Sequence, residues 1–291
     1  MRVPIVIGSA ILLTACGSGG SSSSSDASLN LSITDGPVDS ADEVVVEFTS
    51  VTLKPAEDDE ITIEFDTPKT IDLLDLQGSL SEPLLEDETL PSGNYNWIRL
   101  GVSAEFDGIY DSYIKIDDAM YELRVPSGSQ SGLKLNTGFT LAAGATANFT
   151  IDFDLRKSVT DPGGQPGMFL KPSLRLIDNL LVGSLSGTVD ATLISTSCDA
   201  EAVNNGAVYL YAGDTMEATD ISGAETDPIT TALVGETGEY EIGFIETGDY
   251  YVAYTCDNNE DNPEVVDEGL VFTDLESVTI EADTETMQDF M

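Results

Sequence analysis

From Leu29 onward apolar and polar residues alternate with period two, the spacing of strands that bury one face. Leu29, Leu31 and Ile33 oppose Asn30, Ser32 and Thr34, and Asp35-Gly36-Pro37 ends the run with turn-forming residues. Residues 44–53 read as a second strand. Its apolar face switches from Val44, Val46 and Phe48 to Val51 and Leu53, the mark of a bulge. Ile61, Ile63 and Phe65 predict a third, and Ile98, Leu100 and Val102 point inward after the turn Pro91-Ser92-Gly93. Phe149, Ile151, Phe153 and Leu155 alternate with Asn148, Thr150, Asp152 and Asp154. Between Asp72 and Glu88 the leucine spacing predicts a short helix instead. Alternation resumes through 185–189, 207–211, 240–245, 250–255 and 278–282. Glycines in 235–240 and 247–252 predict a hairpin, with Tyr240, Ile242 and Phe244 on its core face. The expected fold class is all-β: two β-sandwich domains in tandem, residues 28–179 and 183–291.

The segment before these strands follows other rules. Arg2 precedes an apolar run, residues 3–13, of signal-peptide length and too short to span a bilayer as a permanent helix. It ends in Leu13-Thr14-Ala15-Cys16, the cleavage and lipidation signal of bacterial lipoproteins. Residues 1–15 are then removed, and Cys16 becomes the lipid-bearing first residue. Residues 17–25 contain only Gly and Ser, so residues 16–27 serve as a flexible tether. Gly17 and Ser18 follow the cysteine with no aspartate in second place. By similarity to Gram-negative lipoproteins, that implies a lipid anchor in the outer membrane, facing periplasm or cell surface.

Charge removes several function classes. The chain has 53 acidic and 11 basic side chains and a net charge of −42 at pH 7, which repels nucleic acid phosphates. It has no histidine, so no Ser-His-Asp or Cys-His pair and no imidazole metal site can form. Ser112 and Lys115 match S-x-x-K, but within a strand pattern and without a K-T-G partner, which makes the match coincidental. Catalysis by paired carboxylates survives as an alternative, although nothing singles out two of them. With Cys16 acylated, Cys198 and Cys256 remain as an even pair outside the cytoplasm, and a disulfide is expected between them.

Several spaced motifs carry a resemblance. They are residues 35–39 (DGPVD), 73–76 (LLDL), 91–95 (PSGNY), 132–135 (GLKL), 152–158 (DFDLRKS), 170–172 (LKP) and 174–176 (LRL). Over roughly residues 28–179 the chain resembles the bacterial lipoprotein family called domain of unknown function 4382. The resemblance implies a secreted, lipid-anchored β-domain and carries over no catalytic residue. Asp152, Asp154, Arg156, Lys157, Lys171 and Arg175 read as a structural ion-pair lattice across neighbouring strands, with a ligand patch as the alternative. No lysine or arginine follows Arg175. The G-x-V start and the G-x-Y-x-I and G-D-Y-Y-V segments make residues 183–291 similar to the prealbumin-type sandwich of carboxypeptidase regulatory-like domains. That implies a spacer or a sugar- or protein-binding module.

Two candidate sites lie in this second part. Asp257, Asn259 and Asp261 at alternate positions, with Glu268 twelfth in line, have the spacing of a calcium loop. Position six is Asn262 rather than glycine and no helices flank the loop, so a solvated acidic loop is the plainer reading. Tyr209 and Tyr211 share a strand face that could stack on sugar rings or pack as structure; packing is the expectation. The sequence therefore predicts a lipid-anchored, non-catalytic binding or structural module of the cell envelope. The membrane is its partner through the anchor, with a glycan or an envelope protein as candidate ligand. Its alternatives are a calcium-dependent carbohydrate-binding protein and a carboxylate-based hydrolase.

Overall fold

The computed structural model describes residues 26–36, 41–126, 132–160, 163–164, 167–198, 204–222, 224, 226–262, 265 and 269–291. The leader, Cys16 and the Gly/Ser run lie outside them, as does Glu268. The first unit contains β1 (Ala27–Gly36), β2 (Glu43–Pro55), β3 (Ile61–Asp72), β4 (Glu82–Leu90), β5 (Gly93–Val102), β6 (Tyr113–Ile116) and β7 (Ala119–Arg124). It continues with β8 (Leu133–Leu135), β9 (Phe139–Leu141), β10 (Thr146–Asp154), the helical turn α1 (Leu155–Ser158), β11 (Val159–Thr160), β12 (Met168–Leu170) and β13 (Leu174–Asp178). One sheet has the order β13-β10-β1-β4. The other runs β11-β12-β7-β6-β2-β5-β8, with β3 also on β2 and β9 on β5.

Period-two alternation builds the core between these sheets. Leu29, Leu31 and Ile33 of β1 and Phe149, Ile151 and Phe153 of β10 meet Val46, Phe48, Val51, Leu53, Ile98 and Leu100 of the facing sheet. Phe48 and Phe153 close the layer edge to face, 6.4 Å between ring centres. The bulge is where the switch in apolar face places it: the β2–β5 register slips between Phe48 and Ser50. The short helix is not as predicted. Asp72 caps a single 3-10 turn, Leu73–Leu76, by accepting from the Leu74 N–H at 3.2 Å, and β4 follows. Gly78, at φ +69°, and Pro83 interrupt any longer helix.

The second unit comprises β14 (Val182–Thr188), α2 (Ala191–Ser197), β15 (Ala207–Ala212), β16 (Thr230–Leu233), β17 (Glu239–Glu246), β18 (Gly248–Thr255), β19 (Glu276–Ile280) and β20 (Glu285–Met287). Sheets β17-β14-β20 and β16-β15-β18-β19 enclose Leu185, Tyr240, Ile242, Ile245, Val208, Leu210, Val252 and Tyr254. Both units are β-sandwiches. The expected hairpin is absent: β17 and β18 belong to different sheets. Only Thr247 separates them, too short a link for even a two-residue hairpin turn, so the chain crosses to the facing layer. Phe244 is also not a core residue. Its φ of +52° marks a bulge that hands the inward position to Ile245, which is buried. Cys198, just after α2, is bonded to Cys256, just after β18, with Cα atoms 5.1 Å apart.

The sandwiches touch where residues 77–79 reach β17, and where β1 comes against β16. Ser79 donates a hydrogen bond to Glu241, and a Cβ at Gly243 would stand 2.3 Å from the Gly78 carbonyl oxygen.

Candidate functional site

Several residues singled out by sequence are engaged in holding backbone. Asp257 accepts from the Val271 N–H at 2.9 Å. Asp261 accepts from the Tyr209 hydroxyl at 2.7 Å and from the Ile221 N–H at 3.1 Å, while Asn259 is exposed. Among the described residues no group of three His, Cys, Asp or Glu is placed to hold a metal ion. Tyr209 and Tyr211 lie fully buried on the outer face of β15, beneath Phe272, whose ring meets that of Tyr209 edge-on at 5.2 Å. The Tyr211 hydroxyl donates to the Thr219 carbonyl at 2.7 Å, and burial pushes its pKa upward. Neither ring is open to a sugar.

The charges of the first unit are similarly occupied. Asp152 and Arg175 face each other across β10 and β13, with Nη2 2.7 Å and Nε 3.2 Å from one carboxylate oxygen. Burial raises the Asp152 pKa, against the opposing pull of Arg175. Lys157 pairs with Asp154 at 3.0 Å, whereas Lys171 is exposed. Ser112 is buried, donating to the Ser103 carbonyl at 2.7 Å and accepting from the Glu47 N–H at 3.0 Å, and Lys115 pairs with Glu43 at 3.2 Å. That ends the S-x-x-K match as chemistry.

The site that sequence reasoning missed lies where the units meet. A cleft of about 460 Å³ is lined by Gln77 and Gly78 of the first unit, and by Leu233, Glu239, Glu241 and Met287 among others of the second. Its floor is the outer face of β17-β14-β20. Register places Glu241, Ser186 and Met287 in one row across that face, and Glu239 and Thr188 in the next. Glu285 and Asp289 flank it, accepting from Ser186 Oγ at 2.5 Å and Thr188 Oγ1 at 2.9 Å. A hydrogen bond from Thr237 holds the Glu239 carboxyl below the usual glutamate range, the reverse of what a general acid needs. Met287 is 73% exposed. The alternation of Glu239 and Glu241 is legible in the sequence. That distant β20 joins the same sheet is not.

A family model described as "Domain of unknown function (DUF4382)" matches residues 26–172, just over half of the chain. No curated protein matches. Among solved structures, the Bacillus anthracis TIE protein is 10% identical with a TM-score of 0.21; the alignment covers 91% of this chain but 33% of that one. GBS52, the minor pilin of Streptococcus agalactiae, is 11% identical over 90% of this chain and 94% of its own, at a TM-score of 0.22. A putative cell adhesion protein from Parabacteroides distasonis is 8% identical over 87% and 84%, at 0.21. Scores this low do not establish a shared fold.

Proposed function

This chain belongs to the family described as domain of unknown function 4382, and we propose that it is a lipid-anchored, non-catalytic binding or structural module of the cell envelope. Cys16 carries the lipid, and the Gly/Ser run spaces the first sandwich from an outer membrane by about 18 Å. The second, prealbumin-like sandwich presents the acidic cleft. One observation carries the non-catalytic part of this reading. The polar groups that resemble reactive or ligating ones, Asp261, Asp152 and Ser112, are committed to the hydrogen bonds that shape the fold. Each serves the fold: Ser112 and Asp261 satisfy backbone groups of neighbouring segments, and Asp152 pairs with Arg175 across two strands.

Metabolic labelling with a palmitate analogue, followed by membrane fractionation, tests the anchor. The wild-type chain is expected to be labelled and to sediment with outer membranes, and Cys16→Ser to be unlabelled and released. A wild-type chain recovered unlabelled in the soluble fraction would refute the reading.

A further inference from the structure

The outer face of the large sheet in the first unit has a local charge opposite to that of the whole chain. Leu53, Ile98, Leu100, Leu133 and Leu135 point into the core, so their neighbours Lys54, Trp97, Arg99 and Lys134 point outward. Register sets Lys54 opposite Trp97 and Arg99 opposite Lys134, in two adjoining rows across β2, β5 and β8. Three of the 11 basic side chains and the one tryptophan therefore share a patch, in a chain whose net charge is −42.

The cations of this patch are not equally engaged. Arg99 pairs with Glu60 at 3.2 Å, and Lys54 donates to the Asp58 carbonyl at 2.6 Å. Lys134 has only the indole, with its Nζ 4.2 Å from the ring centre, while the Arg99 guanidinium carbon lies 5.2 Å from the same ring. Among the described residues Lys134 forms no ion pair, in a chain with 53 acidic side chains. Gly132 helps to hold it there. At φ +53°, with a Cβ that would stand 2.4 Å from the Leu100 carbonyl oxygen, it lets β8 lie close on β5, burying Leu133 and Leu135 and turning Lys134 over Trp97. Trp97 is half-buried and belongs to neither core. An apolar plate beside a cation that lacks an anion fits a ligand with both an apolar ring face and a negative group.

We propose that this face binds an acidic sugar unit of a glycan, with the sugar ring on Trp97 and its carboxylate on Lys134. The assignment rests on reading the chain as an envelope binding module, and names the ligand class and the site. A sugar ring presents C–H faces to the indole, and a uronic acid adds the carboxylate that the ammonium lacks. The net charge of the chain does not forbid this. Charges farther than about 8 Å are largely screened at physiological salt, so a short ligand with few charges senses the local cations first. A long polyanion would not escape the surrounding acidic surface in the same way.

The test uses the chain from residue 17 onward, with chelator present, at about 150 mM salt. Trp97 is the only tryptophan, so its emission reports on this face alone. A saturable change with digalacturonate is expected. Galactobiose, with the rings and no charge, and succinate, with the charges and no ring, are expected to bind at least tenfold more weakly. Lys134→Gln should weaken digalacturonate at least tenfold and Lys134→Arg, which keeps the charge, less than threefold. Lys171→Gln, the same charge change at an exposed lysine outside this face, should weaken it less than twofold. Equal affinity for succinate and digalacturonate, equal weakening at Lys134 and Lys171, or no saturable change overturns the assignment. Failure here with normal palmitate labelling of Cys16 would remove the glycan ligand alone and leave the anchored module standing.

Discussion

Asp261 is the residue on which the metal and structural readings divide. The features that recommend it as a calcium ligand, an oxygen at the right interval in an acidic loop, equally suit an acceptor for buried donors. The structure gives it Tyr209 Oη and the Ile221 N–H. Replacing it with alanine removes the acceptor that serves both a fully buried tyrosine and a backbone amide, at a cost of about 1–3 kcal/mol. Asp261→Ala should therefore lower the melting temperature by about 2–4 °C per kcal/mol lost, equally in chelator and in calcium. A loss seen only with calcium present would return the residue to the metal. Glu43 offers a pH test. The Tyr113 hydroxyl at 2.8 Å and then Lys115 hold its pKa below the ordinary glutamate value. A depressed acid contributes stability fully above its unfolded pKa and loses it as pH falls through the folded one. Tyr113→Phe should raise the Glu43 pKa in a carboxyl-carbon NMR titration. An unmoved titration would show that Lys115 alone sets it.

At the scale of elements, burial decided what was legible. Runs of alternating apolar residues, such as Leu29 to Ile33 in β1 and Phe149 to Phe153 in β10, can be read residue by residue, because period two leaves one choice of face. The bulge in β2 was legible for the same reason. The segment after Asp72 was not, since leucines that bury themselves through a turn and then a strand imitate helical spacing. The β17–β18 link misled because glycine marks a reversal without saying which sheet receives the next strand. Gly187 shows what such glycines do. A Cβ there would lie 1.8 Å from the Gln288 carbonyl, so β20 can lie on β14 only if residue 187 has no side chain. Gly187→Ala should lift this edge at a cost of about 1–3 kcal/mol. Faster hydrogen exchange is expected at the amides of Gln288 and Phe290, which donate to Ser186 and Thr188 at 2.9 Å. Unchanged protection at those two amides would mean the sheet accommodates the methyl group.

The whole molecule is two sandwiches with separate cores, and the cleft between them exists only while they stay docked. The turn at residues 78 and 79 is one part of the contact, beside the approach of β1 to β16. Gly78, in a left-handed conformation, and Ser79 rest on the β17 bulge, and Gly243 admits them by having no side chain. A Cβ at position 243 would meet the Gly78 oxygen at 2.3 Å and the Ser79 Cα at 2.8 Å. Both are backbone atoms that cannot swing aside. Gly243→Val should therefore part the sandwiches and leave their cores folded, because those cores share no strand across the junction. Two readouts follow from the one substitution. Small-angle scattering should give a larger radius of gyration, and calorimetry should separate one unfolding transition into two. Exchange at the core amides of β10 and β15, unchanged from wild type, would confirm that neither sandwich has unfolded. A variant with wild-type scattering and a single transition would mean that the turn is a passive neighbour. The cleft would then have to be explained by the second sandwich alone.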